Sequence, residues 1–334
     1  MTPSADAPLV TLDDIRAAAE RLRGITIHTP LVHFGPPDAR RFLKAESLQP
    51  IGAFKLRGAY AAIASLTPDE LAHGVITYSS GNHAQGVARA ARLLGAPAVV
   101  VMPSDAPAIK RERVAADGAE IVVVGTSSDE RQQVAEAIAA ERGLAVIPPY
   151  DDDRIIAGQG TVGLELVEDL PDLAVVLVPV GGGGLASGVA TAVRALRPSA
   201  RVIGVEPELA ADARDSMAAG KIVRWPAELV SRTIADGTRT QALGARTFAH
   251  LRANLDSVVT VSEAEIVAAV RLAAERSRLV VEPSGALGVA ALAFHARELG
   301  LDRATGPVVA IVSGGNVDPA HYRIYLDAPI PPEG

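Results

Sequence analysis

The chain has 334 residues, a net charge of −7, 49% hydrophobic and 21% charged residues, and no cysteine. This length and composition support one large core or two lobes and argue against a disordered chain. The lack of a basic block argues against nucleic acid and anionic membranes as partners. The lack of cysteine excludes disulfides, thiolate nucleophiles and cysteine metal sites. Because the first ten residues lack a secretory pattern and no apolar run reaches the roughly 18 residues of a membrane helix, we expect a cytoplasmic protein.

Short β-branched runs alternate with alanine-rich segments along the chain. The predicted strands are residues 41–46, 74–78, 98–102, 120–124, 174–180, 202–205 and 308–312. The predicted helices are residues 12–23, 54–64, 83–94, 106–116, 129–142, 161–170, 185–196, 263–277 and 285–299. Alternation of apolar strands with helices is typical of parallel sheets that are covered on both faces. We therefore predict an α/β fold of two lobes, each a mainly parallel twisted sheet with helices on both faces. The Pro148-Pro149 pair marks a crossing between a large lobe of residues 1–49 and 147–334 and a small lobe of residues 50–146 inserted in it.

One lysine, Lys55, stands beside an aromatic ring, Phe54, just after a glycine turn and at the start of a helical run. Desolvation lowers the pKa of an amine, which makes the free base available to form a Schiff base. Phe54 would cover one face of a flat ligand. Pyridoxal phosphate is such a ligand, and it needs a lysine, a phosphate site and a partner for its ring nitrogen.

Four consecutive glycines, Gly181, Gly182, Gly183 and Gly184, lie between a predicted strand and a predicted helix. Such a loop brings several backbone N–H groups against an anion, and the dipole of the following helix favours negative charge. The spacing fits neither the dinucleotide fingerprint nor a P-loop, which makes a nicotinamide-dependent dehydrogenase a weaker alternative. We interpret the run as a phosphate cradle, with a flexible turn as the alternative.

Polar residues also follow two other predicted strands. Ser79, Ser80, Asn82 and His83 come after one strand and would hold a carboxylate, unless they serve only as a helix cap. Ser313 ends the last strand and is either a turn residue or a neutral partner for a pyridine nitrogen. A neutral partner leaves the ring largely unprotonated, which suits elimination more than transamination.

A possible cation site follows the strand that ends at residue 205. Glu206 and Asp212 supply carboxylates and Ala210 a carbonyl, which are the hard oxygen ligands that Mg²⁺ and Ca²⁺ prefer. Taken alone, the segment is better interpreted as a solvated loop.

In combination, these motifs resemble those of the pyridoxal-phosphate enzymes of the tryptophan-synthase-β fold group, and more closely the serine/threonine dehydratase and serine racemase family. The resemblance runs from about residue 12 to 318 and also includes the segments 157–161, 234–237 and 282–285. It implies that Lys55 carries the cofactor and shuttles the Cα proton, and that Phe54 flanks the ring. It further implies that Asn82 binds the ring hydroxyl, that the four glycines hold the phosphate, and that Ser313 meets the ring nitrogen.

The same resemblance assigns substrate and metal roles. It places Ser79, Asn82 and His83 on the substrate carboxylate, Ser80 on the ring face opposite the lysine, and a divalent cation, Mg²⁺ or else Ca²⁺ or Mn²⁺, on Glu206, Ala210 and Asp212. It also implies a homodimer.

The resemblance favours α,β-elimination of L-serine or L-threonine to a 2-oxo acid and ammonia. Two related activities stay open, namely serine racemisation, through Ser80, and dehydration of threo-3-hydroxyaspartate. In the second, Arg131 would pair with the additional carboxylate, unless it is a plain exposed arginine on a helix. A non-catalytic protein that binds a phosphorylated ligand on the glycine loop is the alternative from a different class.

Overall fold

The computed structural model describes residues 7–79, 81–104, 106, 108–125 and 128–332. Its strands form two sheets, one of six strands and one of four. Helices cover both faces of each sheet, so the predicted α/β architecture is confirmed. In the described part of the chain, no helix combines the length and the apolar character needed to cross a membrane.

The larger sheet carries the strands that end at the glycine loop and at Ser313. Its strands are β1 (Leu31–His33), β2 (Arg41–Ala45), β7 (Val175–Pro179), β8 (Arg201–Pro207), β9 (Ser257–Val261) and β10 (Val308–Val312). Their order is β1-β2-β10-β7-β8-β9, and only the β1–β2 pair is antiparallel. β7 and β10 are buried along their whole length, as expected for central strands of a parallel sheet.

The smaller sheet is entirely parallel. Its strands are β3 (Val75–Tyr78), β4 (Ala98–Pro103), β5 (Glu120–Val124) and β6 (Ala145–Val146), in the order β5-β4-β3-β6. All four lie inside the segment predicted as the small lobe, although the lobe borders near residues 50 and 147 stay a prediction.

The helices fill the connections between strands and supply the faces of both cores. They are α1 (Leu12–Leu22), α2 (Lys55–Ile63), α3 (Pro68–His73), α4 (Asn82–Leu94), α5 (Ala108–Ala116), α6 (Ser128–Arg142), α7 (Asp153–Asp169), α8 (Gly184–Leu196), α9 (Asp212–Ala219), α10 (Ala227–Val230), α11 (Ala245–Asn254), α12 (Glu263–Ser277), α13 (Leu287–Phe294) and α14 (Pro319–Asp327). α7, α8 and α11 pack on one face of the larger sheet, and α12 and α13 pack on the other. α2, α4 and α5 pack on one face of the smaller sheet and α6 on the other.

Two predicted helices differ from the structure by more than two residues at a boundary. The helix predicted over residues 285–299 spans only Leu287–Phe294. The sequence also predicted a helix from residue 161, but α7 begins at Asp153 and already contains Gly158 and Gly160 before that point. A Cβ on Gly158 would lie 2.6 Å from the Cα of Gly58, so this glycine lets α7 and α2 approach closely. The short strands β1 and β6 and the edge strand β9 were not predicted at all.

Candidate active site

A cavity of about 340 Å³ opens beyond the carboxyl ends of β3, β7 and β10. Ligands of open parallel sheets commonly bind at this edge. The structure brings these sequence-predicted residues to the cavity wall: Phe54, Lys55, Ser79, Asn82, His83, Arg131, Gly181, Gly182, Gly183, Gly184 and Ser313. Ser80 lies outside the described residues. Glu206, Ala210 and Asp212 do not line the cavity and form a separate cluster.

Lys55 is the first residue of α2 and directs its amine into the cavity. Its Nζ donates a hydrogen bond to the carbonyl of Pro149 at 2.7 Å and lies 5.2 Å from the centroid of the Phe54 ring. Burial lowers the pKa of Lys55 to about 8. An appreciable fraction of this amine is therefore uncharged near neutral pH, as a Schiff-base lysine requires.

The start of α2 is fixed to the end of β10. The N–H of Phe54 donates to the carbonyl of Ser313 at 3.0 Å, and Ala53 forms an isolated β-bridge with Gly314. These backbone contacts bring the lysine and the strand-end serine to the wall of one cavity. The Ser313 hydroxyl is buried and lies 3.5 Å from the Ser284 carbonyl oxygen, at the limit of a hydrogen bond.

The four glycines form a tight turn between β7 and α8, and their neighbours leave no space for side chains. A Cβ on Gly182 would lie 2.2 Å from the Tyr150 ring, and one on Gly181 would lie 3.1 Å from the Cα of Thr238. Gly183 has a φ of +92°, a conformation that favours glycine. The first turn of α8 leaves its N–H groups without intrahelical acceptors at the cavity wall. The shape and the dipole suit an anion such as a phosphate.

Asn82 begins α4 and belongs to a short polar chain in the cavity. Its amide Nδ2 donates to Oε1 of Glu282 at 2.6 Å, and its Oδ1 accepts from Asn316 at 2.8 Å. Burial, with a further contribution from the charge of Asp236, raises the pKa of Glu282 to about 7. The loop before α4 is tightened by a hydrogen bond from the N–H of Gly81 to the Ser79 hydroxyl at 3.2 Å.

Arg131 lies on α6 and is half-buried at the cavity wall rather than exposed to solvent. Across the cavity mouth, Lys110 of α5 forms an ion pair with Asp236 at 2.6 Å. No sequence motif indicated a role for Lys110, Glu282 or Tyr150. Glu282 stands in one of the quoted segments, and Tyr150 follows the Pro148-Pro149 pair; neither feature signals chemistry without the fold.

Glu206, at the end of β8, and Asp212, at the start of α9, are fully buried together. The two Glu206 oxygens accept from the N–H groups of Ala213 at 3.0 Å and Arg214 at 2.8 Å, whereas both Asp212 oxygens lack a partner among the described residues. Burial raises the pKa of Asp212 to about 7, and burial with the charge of Asp212 raises the pKa of Glu206 well above its usual range. Two neighbouring buried carboxylates, one of them with both oxygens orphaned, suit a cation. No group of three or more acidic or histidine side chains with metal-binding geometry occurs in the described ranges.

Comparison with known proteins gives one consistent result. The profile of the family described as "Pyridoxal-phosphate dependent enzyme" matches residues 23–314. The L-threo-3-hydroxyaspartate ammonia-lyase of Saccharomyces cerevisiae is 43% identical over 321 residues, covering 95% of this chain and 96% of that protein. The L-threonine ammonia-lyase of Geobacter sulfurreducens is 44% identical over 311 residues, covering 91% of this chain and 75% of that protein. The structure of maize serine racemase superposes with a TM-score of 0.90 at 40% identity, covering 95% of this chain and 97% of that one.

Proposed function

Because the chain belongs to the family of pyridoxal-phosphate-dependent enzymes, we propose that it is an ammonia-lyase for small β-hydroxy amino acids. It would convert L-serine or L-threonine to a 2-oxo acid and ammonia by α,β-elimination. One observation carries this proposal, namely that the amine of Lys55, with its pKa lowered to about 8, shares a cavity with the glycine turn. A protein that only binds a phosphorylated ligand has no need of such an amine.

The cavity residues fit the cofactor by their chemistry. The N–H groups of the glycine turn would hold the phosphate, and Phe54 would lie against the ring. The Asn82 amide would bind the ring hydroxyl, and the Ser313 hydroxyl would face the ring nitrogen as a neutral partner. When bound, pyridoxal phosphate supplies an aldehyde for an amine and a ring that delocalises the electrons left on Cα.

Other residues around the cofactor pocket would bind the substrate and transfer its protons. Lys55 would accept the Cα proton, since a partly uncharged amine is a competent base at neutral pH. The Ser79 hydroxyl, the Asn82 side chain and the N–H groups at the start of α4, including that of His83, would hold the substrate carboxylate. Ser80 is our candidate for the proton donor on the opposite face, which racemisation would need.

The buried pair Glu206 and Asp212, with the Ala210 carbonyl, would hold Mg²⁺, Ca²⁺ or Mn²⁺. A divalent ion would neutralise these two buried carboxylates, and it would give the Asp212 oxygens the partner they lack among the described residues. The family kinship also supports a homodimer, which analytical ultracentrifugation would measure.

Borohydride reduction followed by peptide mapping tests the central assignment. The chain has four lysines, so the reduced pyridoxyl group is readily located, and we expect it on Lys55. Lys55→Ala should abolish steady-state ammonia release, whereas Lys221→Ala, at an exposed lysine, should retain it. Ammonia release by Lys55→Ala at the wild-type rate would contradict the proposal.

A second candidate substrate is threo-3-hydroxyaspartate. Its extra carboxylate would pair with Arg131, a residue of the cavity wall, and the guanidinium group suits bidentate pairing with a carboxylate. The test is a panel of hydroxy amino acids in both enantiomers. Arg131→Gln should lower kcat/KM for hydroxyaspartate by about 100-fold, because a charged hydrogen bond is lost. The same variant should leave kcat/KM for threonine nearly unchanged. Arg142→Gln, on the same helix but in an exposed pair with Glu120, is the matched control. Hydroxyaspartate turnover no faster than that of serine or threonine would exclude this candidate, and D-serine formed from L-serine would favour racemisation.

A further inference from the structure

A buried side chain behind the cavity wall fixes one carbonyl of the glycine turn. The hydroxyl of Thr247, on α11, donates a hydrogen bond to the carbonyl oxygen of Gly182 at 2.8 Å. Thr247 is fully buried, whereas Gly182 and Gly183 line the cavity. The Gly244 carbonyl lies farther from the same hydroxyl, at 3.2 Å, and a hydroxyl has a single hydrogen to donate. The bond to Gly182 is therefore the better formed of the two.

This hydrogen bond sets the direction of the next N–H group. In a trans peptide, the C=O of one residue and the N–H of the next point in opposite directions. The peptide that joins Gly182 to Gly183 is trans, so its N–H points away from Thr247, to the side on which the two glycines face the cavity. No backbone carbonyl of the described residues accepts from this N–H. The N–H of Gly183 is therefore available to a ligand.

The position of Thr247 is in turn fixed by a cap on α11. The carboxylate of Asp151 accepts from the N–H groups of Ala245 at 3.1 Å, Arg246 at 2.9 Å and Thr247 at 3.1 Å. A carboxylate at this end of a helix is favourable because it satisfies free N–H groups and meets the positive end of the dipole. The Thr247 hydroxyl also accepts from the N–H of Gly244 at 3.0 Å. The donor to Gly182 is thus held in place from two sides.

We propose that Thr247 is a positioning residue for the cofactor phosphate, because its hydroxyl holds the Gly182–Gly183 peptide in the orientation that presents the Gly183 N–H to that phosphate. Glycine peptides rotate easily, since no Cβ restricts them. Without the hydroxyl, the peptide would be free to turn its carbonyl oxygen towards the phosphate, and the two oxygens would repel each other. The inference rests on the proposed function in taking pyridoxal phosphate as the ligand of the turn.

A comparison of two ligands isolates the phosphate. Pyridoxal has the ring and the aldehyde of pyridoxal phosphate but no phosphate group, so the ratio of the two Kd values reports what the phosphate contributes. Absorbance titration of the full-length protein, freed of cofactor, measures both. Thr247→Val keeps the branched shape and removes the hydroxyl, and it should reduce the preference for pyridoxal phosphate by about tenfold, as expected when a hydrogen bond to a charged group is lost. Thr247→Ser keeps the hydroxyl and should retain the preference.

The matched control is Ser187→Ala. The Ser187 hydroxyl donates to the Thr247 carbonyl at 3.2 Å, so its loss disturbs the same contact between α8 and α11 without touching the Gly182 carbonyl. This variant should keep the wild-type ratio of Kd values. A merely structural role of Thr247 predicts that Thr247→Val weakens both ligands equally, and an unchanged ratio in that variant would overturn the proposal.

The wild-type protein provides a measurement that does not depend on the folding of variants. The turn contains three successive Gly-Gly pairs, and Gly314-Gly315 is the fourth pair in the chain. Glycine labelled with ¹³C at the carbonyl and with ¹⁵N therefore gives only four carbonyl–amide correlations in an NMR spectrum. The amide proton of Gly183 should move downfield when pyridoxal phosphate replaces pyridoxal, whereas that of Gly315 should stay in place. A Gly183 amide proton that does not move would refute the inference.

Failure of the proposed function gives a different result. A wild-type protein that binds pyridoxal as tightly as pyridoxal phosphate, or that carries no pyridoxyl group on Lys55 after reduction, would defeat the function before Thr247 is changed. A clear wild-type preference for pyridoxal phosphate that persists in Thr247→Val would leave the function intact and defeat the inference alone.

Discussion

A buried ionic network behind Lys55 gives the strongest test of how the site is supported. Arg57 lies two residues after Lys55 on α2, and its side chain is 1% exposed. The guanidinium group binds both carboxylate oxygens of Glu46, at 2.7 and 2.8 Å, and both of Glu165, at 2.6 and 3.0 Å. Because Glu46 follows β2 and Glu165 lies on α7, this one side chain fastens the lysine-bearing helix to the larger sheet and its covering helix.

Arg57→Met would leave Glu46 buried without its main cation. Burial opposes the charge of Glu46, and the charge and hydrogen bonds of Arg57 lower its pKa below the ordinary value of 4.5. Breaking one partner of a buried pair costs about 3–5 kcal/mol, whereas replacing all partners by apolar groups of similar volume is close to neutral. We therefore expect a loss of this size for Arg57→Met. A smaller loss is expected only when the whole buried network is replaced by Met, which includes Glu46, Glu165 and the buried Lys44 that pairs with Glu165 at 2.6 Å.

The pH dependence has a definite sign. A carboxyl group with a lowered folded-state pKa contributes stability above its unfolded pKa and loses it as the pH falls through the folded value. The destabilisation by Arg57→Met should therefore be largest at pH 7 and shrink as the pH falls below about 4. Urea unfolding followed by far-UV circular dichroism measures this loss in the free energy of unfolding. The control is Arg142→Met, in the exposed pair with Glu120, for which a cost of about 1 kcal/mol or less is expected. Equal costs for the buried and the exposed arginine would refute the reasoning.

Two further predictions concern the cation and the phosphate loop. Because the pKa of Asp212 is raised to about 7 and that of Glu206 is also raised, the metal-free pair stabilises the fold at acid pH and loses that contribution as the pH rises through the folded values. At about 100 times its Kd, Mg²⁺ should therefore raise the thermal midpoint of unfolding by about 4 °C at pH 8 and by much less at pH 5. EDTA should reverse this shift, and Asp212→Asn should abolish it. In Gly182→Ala, the added Cβ would overlap the Tyr150 ring. This variant should bind pyridoxal phosphate at least about tenfold more weakly in an absorbance titration. Wild-type affinity of the variant would show that the turn does not contact the phosphate.

The sequence was sufficient for the parts of the fold in which local pattern and burial agree. β7 and β10 are continuous apolar runs because both of their faces are covered, and such runs are conspicuous in a sequence. β9 was missed because it is an edge strand that is mostly half-exposed and has no such run. The first eight residues of α7 were missed because Gly158 and Gly160 disfavour a helix locally. Only tertiary packing explains them, since Gly158 faces α2 and Gly160 faces Ile15 of α1 and Gly188 of α8.

In the candidate site, too, some residues could be predicted from sequence motifs and others only from the fold. Lys55, the glycine turn and Ser313 stand in short motifs that mark chemistry in the chain itself, and the structure places them around one cavity. Tyr150 is different, because its importance lies in filling the space that Gly182 leaves, and no spacing rule connects two residues so far apart. The separation of the cavity from the Glu206 cluster also depends on tertiary structure, since both follow strand ends of the same sheet.

The Arg57 network, whose buried polar atoms all have partners, differs from the buried polar atoms that lack hydrogen-bond partners. On the far side of α2, Arg57 meets two carboxylates at short distances, so that network is complete without any ligand. Among the described residues, His83 Nδ1 at the cavity wall has no partner, and neither have the two Asp212 oxygens in the separate cluster with Glu206. Each unpartnered buried group costs about 1–3 kcal/mol, and a fold that satisfies its other buried charges this well does not keep such groups for stability. Under the proposed function, a divalent cation would complete the Asp212 carboxylate. Stabilisation by that cation should therefore arise at the Asp212 cluster, while the Arg57 network should contribute the same stability with and without cofactor.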